Sequence, residues 1–311
     1  MKNEKTLDLA IIGGGTAGLT AGLYAGRSKL ETIIFENGLI GGQIRETFSV
    51  ENFPGFTSIS GADLADKMQE QTIKSGANIS EFENIEKVKL NDDEKIIETD
   101  STIYKAKSVI IATGSKSKRL PIPEEEKLHG KCIHYCELCD GAMYEGKDII
   151  VVGGGNSAIN AALFLTKYAK NIIVVHHSQN LKAEKISQDE LFKHKNVSLL
   201  LNTEITHVIG NNTIEEIITE NKKTGETKSL KADGIFVYVG NKPQTDLFKD
   251  NLILSESGHI KTNEKLETNI KGVFAAGDVR EKEIRQLTTA VNDGSIAALM
   301  AEKYIKGFGH L

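Results

Sequence analysis

Three cysteines in 311 residues are too few for a disulfide framework, so a close pair of them reads as catalytic or metal-binding. No apolar run approaches the roughly 20 residues that cross a bilayer. The first residues, Met1-Lys2-Asn3-Glu4-Lys5, lead straight into an apolar strand and leave no room for a signal peptide, so a cytoplasmic protein without membrane attachment is expected. No low-complexity segment is present, and basic residues are not in excess. With a formal net charge of −5 and 26% charged residues, the composition gives no nucleic-acid surface. What remains is an ordinary globular chain, long enough for about two domains.

The chain contains one unit twice. Leu7–Ile12 is an apolar strand, Gly13 to Gly18 a tight turn, Ala17–Arg27 a helix with small inward residues and Thr32–Glu36 a second strand. The same order returns at Asp148–Val152, Gly153 to Ala158, Ala158–Lys167 and Asn171–His176. Glycine is required in such turns because a side chain would block the bend, the approach of a pyrophosphate or the packing of helix on strand. One fingerprint is weak evidence, whereas two in strand-turn-helix context predict two nucleotide-binding units. Glu36 closes the second strand of the first unit, where a carboxylate would accept hydrogen bonds from ribose hydroxyls of FAD or NAD.

Ser108–Thr113 before Gly114, and Gly272–Ala276 before Gly277-Asp278, read as further buried strands that end at ligand-facing turns. Prolines at 121, 123 and 243 mark linkers. The expected class is therefore α/β, with two Rossmann-like domains of three-layer sheet architecture, the second inserted into the first. The boundaries expected are 1–118 and 245–311 for the first domain and 119–244 for the insert. Glu81–Tyr104 and Asn196–Leu230 alternate enough for small antiparallel sheets, with a hairpin turn at Lys223-Thr224-Gly225. Gln286–Ile305 reads as a terminal helix.

Cys136-Glu137-Leu138-Cys139-Asp140 joins two thiols at disulfide spacing to a carboxyl group. A thiolate attacks disulfides, and a second cysteine nearby resolves the mixed disulfide. Asp140 is a candidate proton donor if burial raises its pKa; capping a helix is the plainer alternative. Zinc on His134, Cys136 and Cys139 is a rival that lacks a fourth ligand. Cys132 reads as a buried residue, and His129, His194, His207, His259 and His310 as surface or packing residues.

The ordered motifs GGGTAG, GGQ, ENFPG, ATG, CxxCDG, GGGNSA, AAGD and RQLTTAVNDG resemble those of the low-molecular-weight thioredoxin reductases along essentially the whole chain. The resemblance implies FAD held by Gly13, Gly15, Thr16, Ala17, Gly18, Glu36, Gly42, Gln43, Asn52, Gly114, Gly277, Asp278, Arg285, Gln286 and Leu287. It implies a nicotinamide nucleotide at Gly153, Gly155, Asn156, Ser157, Ala158, His176, His177, Ser178 and Lys182. It further implies a homodimer with rotating domains, Cys139 facing the flavin, Cys136 attacking a thioredoxin-like disulfide and Asp140 supplying the proton.

One segment departs from the pattern. NADPH-using members carry a His-Arg-Arg run and another arginine after the second strand of the insert, where this chain has His176-His177-Ser178-Gln179-Asn180-Leu181-Lys182. Serine and neutral histidine cannot replace a guanidinium's two-bond grip on phosphate, and no acid replaces His176 to select NADH. NADPH or NADH is the expected donor, with ferredoxin the alternative. A redox-sensing flavoprotein without turnover is the non-enzymatic alternative.

Overall fold

The computed structural model describes residues 2–47 and 50–307; His310 lies outside them. In chain order the elements are β1 (Asn3–Ile12), α1 (Thr16–Arg27), β2 (Thr32–Phe35), α2 (Gly61–Lys74), β3 (Asn78–Ser80), β4 (Ile85–Leu90), β5 (Lys95–Thr99), β6 (Thr102–Ile111) and β7 (Ser115–Ser117). The middle of the chain forms α3 (Glu125–Leu128), β8 (Ile133–His134), α4 (Glu137–Asp140), β9 (Asp148–Val152), α5 (Asn156–Leu165), β10 (Asn171–His176), α6 (Lys185–Leu191), β11 (Val197–Leu201), β12 (Thr203–Gly210), β13 (Ile214–Asn221), β14 (Thr227–Leu230) and β15 (Gly234–Val237). β16 (Asn241–Pro243), β17 (Val273–Ala275) and α7 (Leu287–Lys306) follow. Two compact units result: one from the chain up to Lys116 together with the chain from Lys242 on, the other from Ser117–Asn241.

In the first unit a seven-stranded sheet runs β3-β2-β1-β6-β5-β4, with β17 also paired to β6. The Leu9–Ile12 end of β1 is buried on both faces, as its apolar run requires. Successive residues point to opposite sides: Leu9 and Ile11 join the core beneath α1 and α7, whereas Ala10 and Ile12 join a second core with Phe248, Leu252 and Ile260. α1 and α7 pack through small residues, and a Cβ on Gly294 would lie 2.3 Å from the Ala17 carbonyl oxygen.

The Glu81–Tyr104 region does not form a separate small sheet. β4 and β5 are antiparallel to each other, and β5 is antiparallel to the first half of β6, which extends the main sheet. β6 is long enough to pair there and also to hold β17 in parallel at Val109–Ile111.

The second unit has a five-stranded parallel sheet of order β11-β10-β9-β15-β8. Ile149 and Val151 face the helix side with Ala158, Ile159 and Leu165, whereas Ile150 and Val152 face Ile205, Val208 and Ile217 of the three-stranded antiparallel sheet β12-β13-β14. The turn at residues 222–225 joins β13 to β14, with Gly225 at φ +70°. α5 starts at Asn156 rather than Ala158, because Gly155 already occupies the N-cap position. No helix among the described residues is long and apolar enough to cross a membrane.

The two glycine turns are built alike but differ in tightness. A Cβ on Gly18 would sit 1.8 Å from the Gly13 carbonyl oxygen, whereas the second turn accommodates the methyl group of Ala158 at the matching place. Gly18→Ala is expected to cost about 1–3 kcal/mol by overpacking against backbone and to lower flavin retention. A melting temperature equal to the parent's would refute this account of the turn.

Candidate active site

Register places the first site. Ile12 of β1 is level with Phe35 of β2 and Ile111 of β6, and Ile111 with Ala275 of β17. The residues that follow these strands, Gly13, Glu36, Thr113-Gly114 and Gly277-Asp278, are therefore delivered to one carboxyl edge, where open α/β sheets bind ligands. Gly13 adopts φ +108°, and a Cβ there would meet the Ala112 carbonyl oxygen at 2.4 Å. Gly15 and Gly114, by contrast, have nothing within 4 Å of a built Cβ.

The Glu36 carboxylate accepts hydrogen bonds from Gly14 N (2.8 Å) and Gly38 N (3.1 Å), which fixes it beside the turn with acceptor capacity to spare. The 41–43 loop closes over the turn: Gly41 N donates to Gly14 O at 2.9 Å, a Cβ on Gly42 would lie 3.2 Å from Gly15 Cα, and the Gln43 amide donates to Ser115 O. Asn52 Nδ2 donates to Gln286 Oε1 at 3.3 Å; Gln286 caps α7, which starts at Leu287. Thr16, Ala17 and Gly18 form the buried first turn of α1, and Ala17 packs under Gly277.

Asp278 Oδ1 and Arg285 Nε are buried without a hydrogen-bond partner. Buried polar atoms are nearly always satisfied, so these atoms fit a polar ligand such as the ribityl and pyrophosphate parts of FAD. Burial pushes the Asp278 carboxyl above the ordinary carboxylate range, against the pull of Lys282 and Arg285. Lys282 Nζ is 3.7 Å from Asp278 and 3.1 Å from buried Asp293, and Arg280 Nε also binds Asp293 at 2.9 Å.

The second turn repeats the first. Gly153 has φ +141°, a Cβ on it would strike the Tyr238 carbonyl oxygen at 2.4 Å, and Gly155 again faces open space. The first turn of α5, Asn156, Ser157 and Ala158, has no side-chain cap, so its amides suit a pyrophosphate; the Asn156 side chain instead holds Glu184 N at 2.8 Å. The surroundings offer no guanidinium for a further phosphate, and Lys182, whose N bonds Gly154 O at 2.7 Å, is the lysine of the 176–182 loop. The His176 ring lies on Gly154, 2.6 Å from a built Cβ, and is buried with both nitrogens unpartnered. Burial, then His177, lowers its pKa, so it brings no charge. His177 and Lys182 are exposed, Ser178 O accepts from Asn202 N at 3.1 Å, and Gln179 accepts from Lys223. Arg119 is the sole arginine of residues 117–241, and it binds Glu125 at 3.0 Å.

The dithiol also follows a strand end. β8 pairs with β15, and the chain then enters α4 with Cys136 at its N-cap and Cys139 within it. The two sulfurs form a disulfide, with Cα atoms 5.3 Å apart, so neither is a zinc ligand here. Cys139 N donates to Cys136 Sγ at 3.2 Å, a bond that favours a thiolate on Cys136 after reduction. Asp140 caps nothing with its side chain; its Oδ2 lies 3.3 Å from Nδ1 of buried His134. Glu137 accepts from Tyr238 OH. Cys132 is a buried free thiol whose pKa burial raises.

Two nucleotide-type turns and a disulfide at one strand end fit a nucleotide-dependent disulfide oxidoreductase, and comparison with known proteins agrees. The model of the pyridine nucleotide-disulphide oxidoreductases matches residues 7–294. The chain is 40% identical over 98% of its length to thioredoxin reductase of Bacillus subtilis, covering 97% of that protein. It belongs to the low-molecular-weight thioredoxin reductase family. A Clostridium pasteurianum relative described as a 34.2 kDa protein in a rubredoxin operon is 67% identical over 99% of this chain and 100% of that one. The thioredoxin reductase structure from Streptococcus pyogenes superposes with a TM-score of 0.92 at 41% identity, covering 97% of this chain and 99% of that one.

Sequence reasoning missed the family member's polar support. In the sequence His134 reads only as a zinc candidate, Asp293 only as part of RQLTTAVNDG, and Tyr144, Tyr238 and Lys282 belong to no motif. A histidine two residues before the first cysteine, on an apolar strand, was the available signal for the first.

The raised pKa of Asp278 has a thermodynamic sign. The folded chain holds this proton to a higher pH than the unfolded chain, so the group favours folding at low pH and opposes it as pH rises through its raised value. Flavin-stripped Asp278→Asn protein should therefore melt above the stripped parent at about pH 8, with the gap closing toward about pH 4.5, and should bind FAD more weakly. A gap that does not vary with pH in calorimetry would count against the burial assignment.

Proposed function

We propose that this protein is a thioredoxin-disulfide reductase that passes electrons from NAD(P)H through FAD to the Cys136–Cys139 disulfide, and from the dithiol to a thioredoxin-like protein. The observation that carries the reading is the disulfide at the end of β8, in a chain whose other unit gathers orphaned Asp278 and Arg285 atoms beside an open glycine turn. Bound FAD supplies a carrier that exchanges electron pairs with a disulfide. Gly13, Gly15, Gly18, Glu36, Asp278 and the 285–287 segment bind and orient it. Once reduced, Cys136 attacks the partner's disulfide, because its sulfur receives the Cys139 N–H bond. Cys139 then displaces the partner by closing the disulfide again. Homodimerisation is part of this reading, as the family resemblance implies.

The donor is the finer question. The intact turn at Gly153 and Gly155 supports a nicotinamide nucleotide, and the arginine-free 176–182 loop, with Lys182 as its one exposed lysine, supports weak discrimination between NADPH and NADH. That loop also favours a second reading, in which ferredoxin delivers the electrons and the second turn is a retained fold element. Anaerobic titration with NADPH, NADH and reduced ferredoxin in parallel distinguishes them by which reagent bleaches the flavin.

Cys136→Ser and Cys139→Ser should each abolish thioredoxin reduction while FAD stays bound. Only the variant that retains Cys136 should form a mixed disulfide with thioredoxin carrying a thionitrobenzoate-capped cysteine; crosslinking by the other variant instead would reverse the two roles. Arginines at His177 and Ser178 should raise the preference for NADPH over NADH by about tenfold or more, since a charge-assisted hydrogen bond contributes about 1.5–3 kcal/mol. If the parent already binds NADPH tightly and ignores NADH, another basic group holds the phosphate and the assignment of this loop is wrong.

A further inference from the structure

His134 is the last residue of β8 and only 2% exposed. Its ring packs in a triangle with those of Phe236 and Tyr144, at centroid distances of 5.3 and 5.4 Å. Space for Tyr144 exists only because residue 234 is glycine: a Cβ there would lie 2.2 Å from the Tyr144 ring. Both imidazole nitrogens are addressed. Nε2 is 2.7 Å from Tyr144 OH, and Nδ1 is 3.3 Å from Oδ2 of Asp140, the residue that follows Cys139.

These neighbours assign the protons. Burial, reinforced by Cys132, Asp140 and Asp233, pushes the Tyr144 phenol far above its ordinary range, so Tyr144 keeps its proton, and its hydroxyl can donate to Nε2 when that nitrogen carries no hydrogen. In that tautomer the ring hydrogen is on Nδ1, the nitrogen 3.3 Å from Asp140 Oδ2. The remaining groups around this cluster are the Cys132 thiol, Asp233 before β15, Lys147 over the Tyr144 ring at 5.3 Å and the Tyr238–Glu137 hydrogen bond. Among these side chains, imidazole is the type that ordinarily exchanges a proton near neutral pH.

We propose that Asp140 and His134 form one proton-holding pair for the dithiol, His134 acting as a positioning and proton-storing residue behind Asp140. This rests on the reductase reading above. In the first exchange Cys136 loses its proton to the pair, its sulfur bonds to one sulfur of the partner disulfide, and the expelled partner thiolate takes that proton from Asp140. In the second, Cys139 loses its proton to the pair and attacks Cys136 sulfur, and the partner's second thiolate leaves with the proton. Two electrons and two protons pass from enzyme dithiol to partner, and the pair ends as it began.

The test uses the full-length flavin-loaded protein as parent, His134→Gln, His134→Phe and Asp140→Asn. Each is reduced with dithiothreitol and desalted, and Cys136 alkylation by iodoacetamide is followed against pH. The parent should show two ionisations, one near neutrality. His134→Gln, which retains hydrogen bonding to Tyr144 but stores no proton, should lose the neutral one. Its rate of thioredoxin reduction should fall about 10²-fold with KM unchanged, and Asp140→Asn should fall at least as far. His134→Phe should behave as the Gln variant; if it fails to fold, as judged by its melting curve, the Gln variant alone decides. A Gln variant with the parent's alkylation profile and rate would make His134 a packing strut and overturn the proposal. A parent that shows both ionisations yet never reduces thioredoxin overturns the reductase reading instead and leaves the proton pair supported.

Discussion

Contact between backbone and backbone at the glycine turns is the constraint on which the rest depends. The Ala112 carbonyl stands where a side chain on Gly13 would go, the Tyr238 carbonyl where one on Gly153 would go, and the Gly13 carbonyl where one on Gly18 would go. Only at that separation do Gly13 N and Gly153 N reach Phe35 O and Val175 O, at 2.9 and 3.0 Å, and tie each turn to the neighbouring strand. The following helix is then aimed along the edge at which Glu36 and Asp278, or Cys136 and His176, emerge. Chemistry in both units is thus positioned by main-chain packing, and side chains act on a frame already set.

From similar frames the two units diverge in electrostatics. The first unit gathers ions around its edge: Arg280 and Lys282 share buried Asp293, and Lys282 reaches toward Asp278. Such a cluster is costly to desolvate, and its cations offset the charge of the carboxylates. The second unit surrounds its turn with the unpartnered His176 imidazole, loop atoms already engaged with Asn202 and Lys223, and a single exposed lysine, Lys182. Its polar investment lies instead behind the dithiol, where Asp140, His134 and Tyr144 line up and Glu137 holds Tyr238.

Much of this was readable in the sequence because short-range geometry dictates it. Leu9–Ile12 and Ile149–Val152 are apolar without interruption, as doubly covered strands must be, and Gly13 and Gly153 after them, with positive φ and backbone where a side chain would go, have no substitute of another type. Cys136 and Cys139 are spaced to meet within one turn. The fate of Glu81–Tyr104 was not readable, because alternation identifies strands without saying which sheet accepts them; that depended on the outer edge of β6, which takes β5 at residues 103–105 before it takes β17 at 109–111. Nor could the sequence show that His134 meets Tyr144 across a gap opened by Gly234, since three separate segments must be folded before these atoms are near one another. Asp278 likewise acquires its raised pKa from burial by residues distant in the chain.

The places where the chain passes from one unit to the other have a bearing on the protein's ancestry. Within the first unit Gln244 N bonds to Gly114 O at 3.0 Å, and Thr113 Oγ1 to Gln244 O at 2.7 Å, so the cut ends of the host lie side by side. Within the second, Lys118 N bonds to Gly240 O at 2.8 Å, so the ends of the insert do too. A segment whose ends meet can enter a loop whose ends meet without opening either core. With matching turns in both parts, the architecture suits duplication of one ancestral module followed by insertion of a copy into a single surface connection of the other.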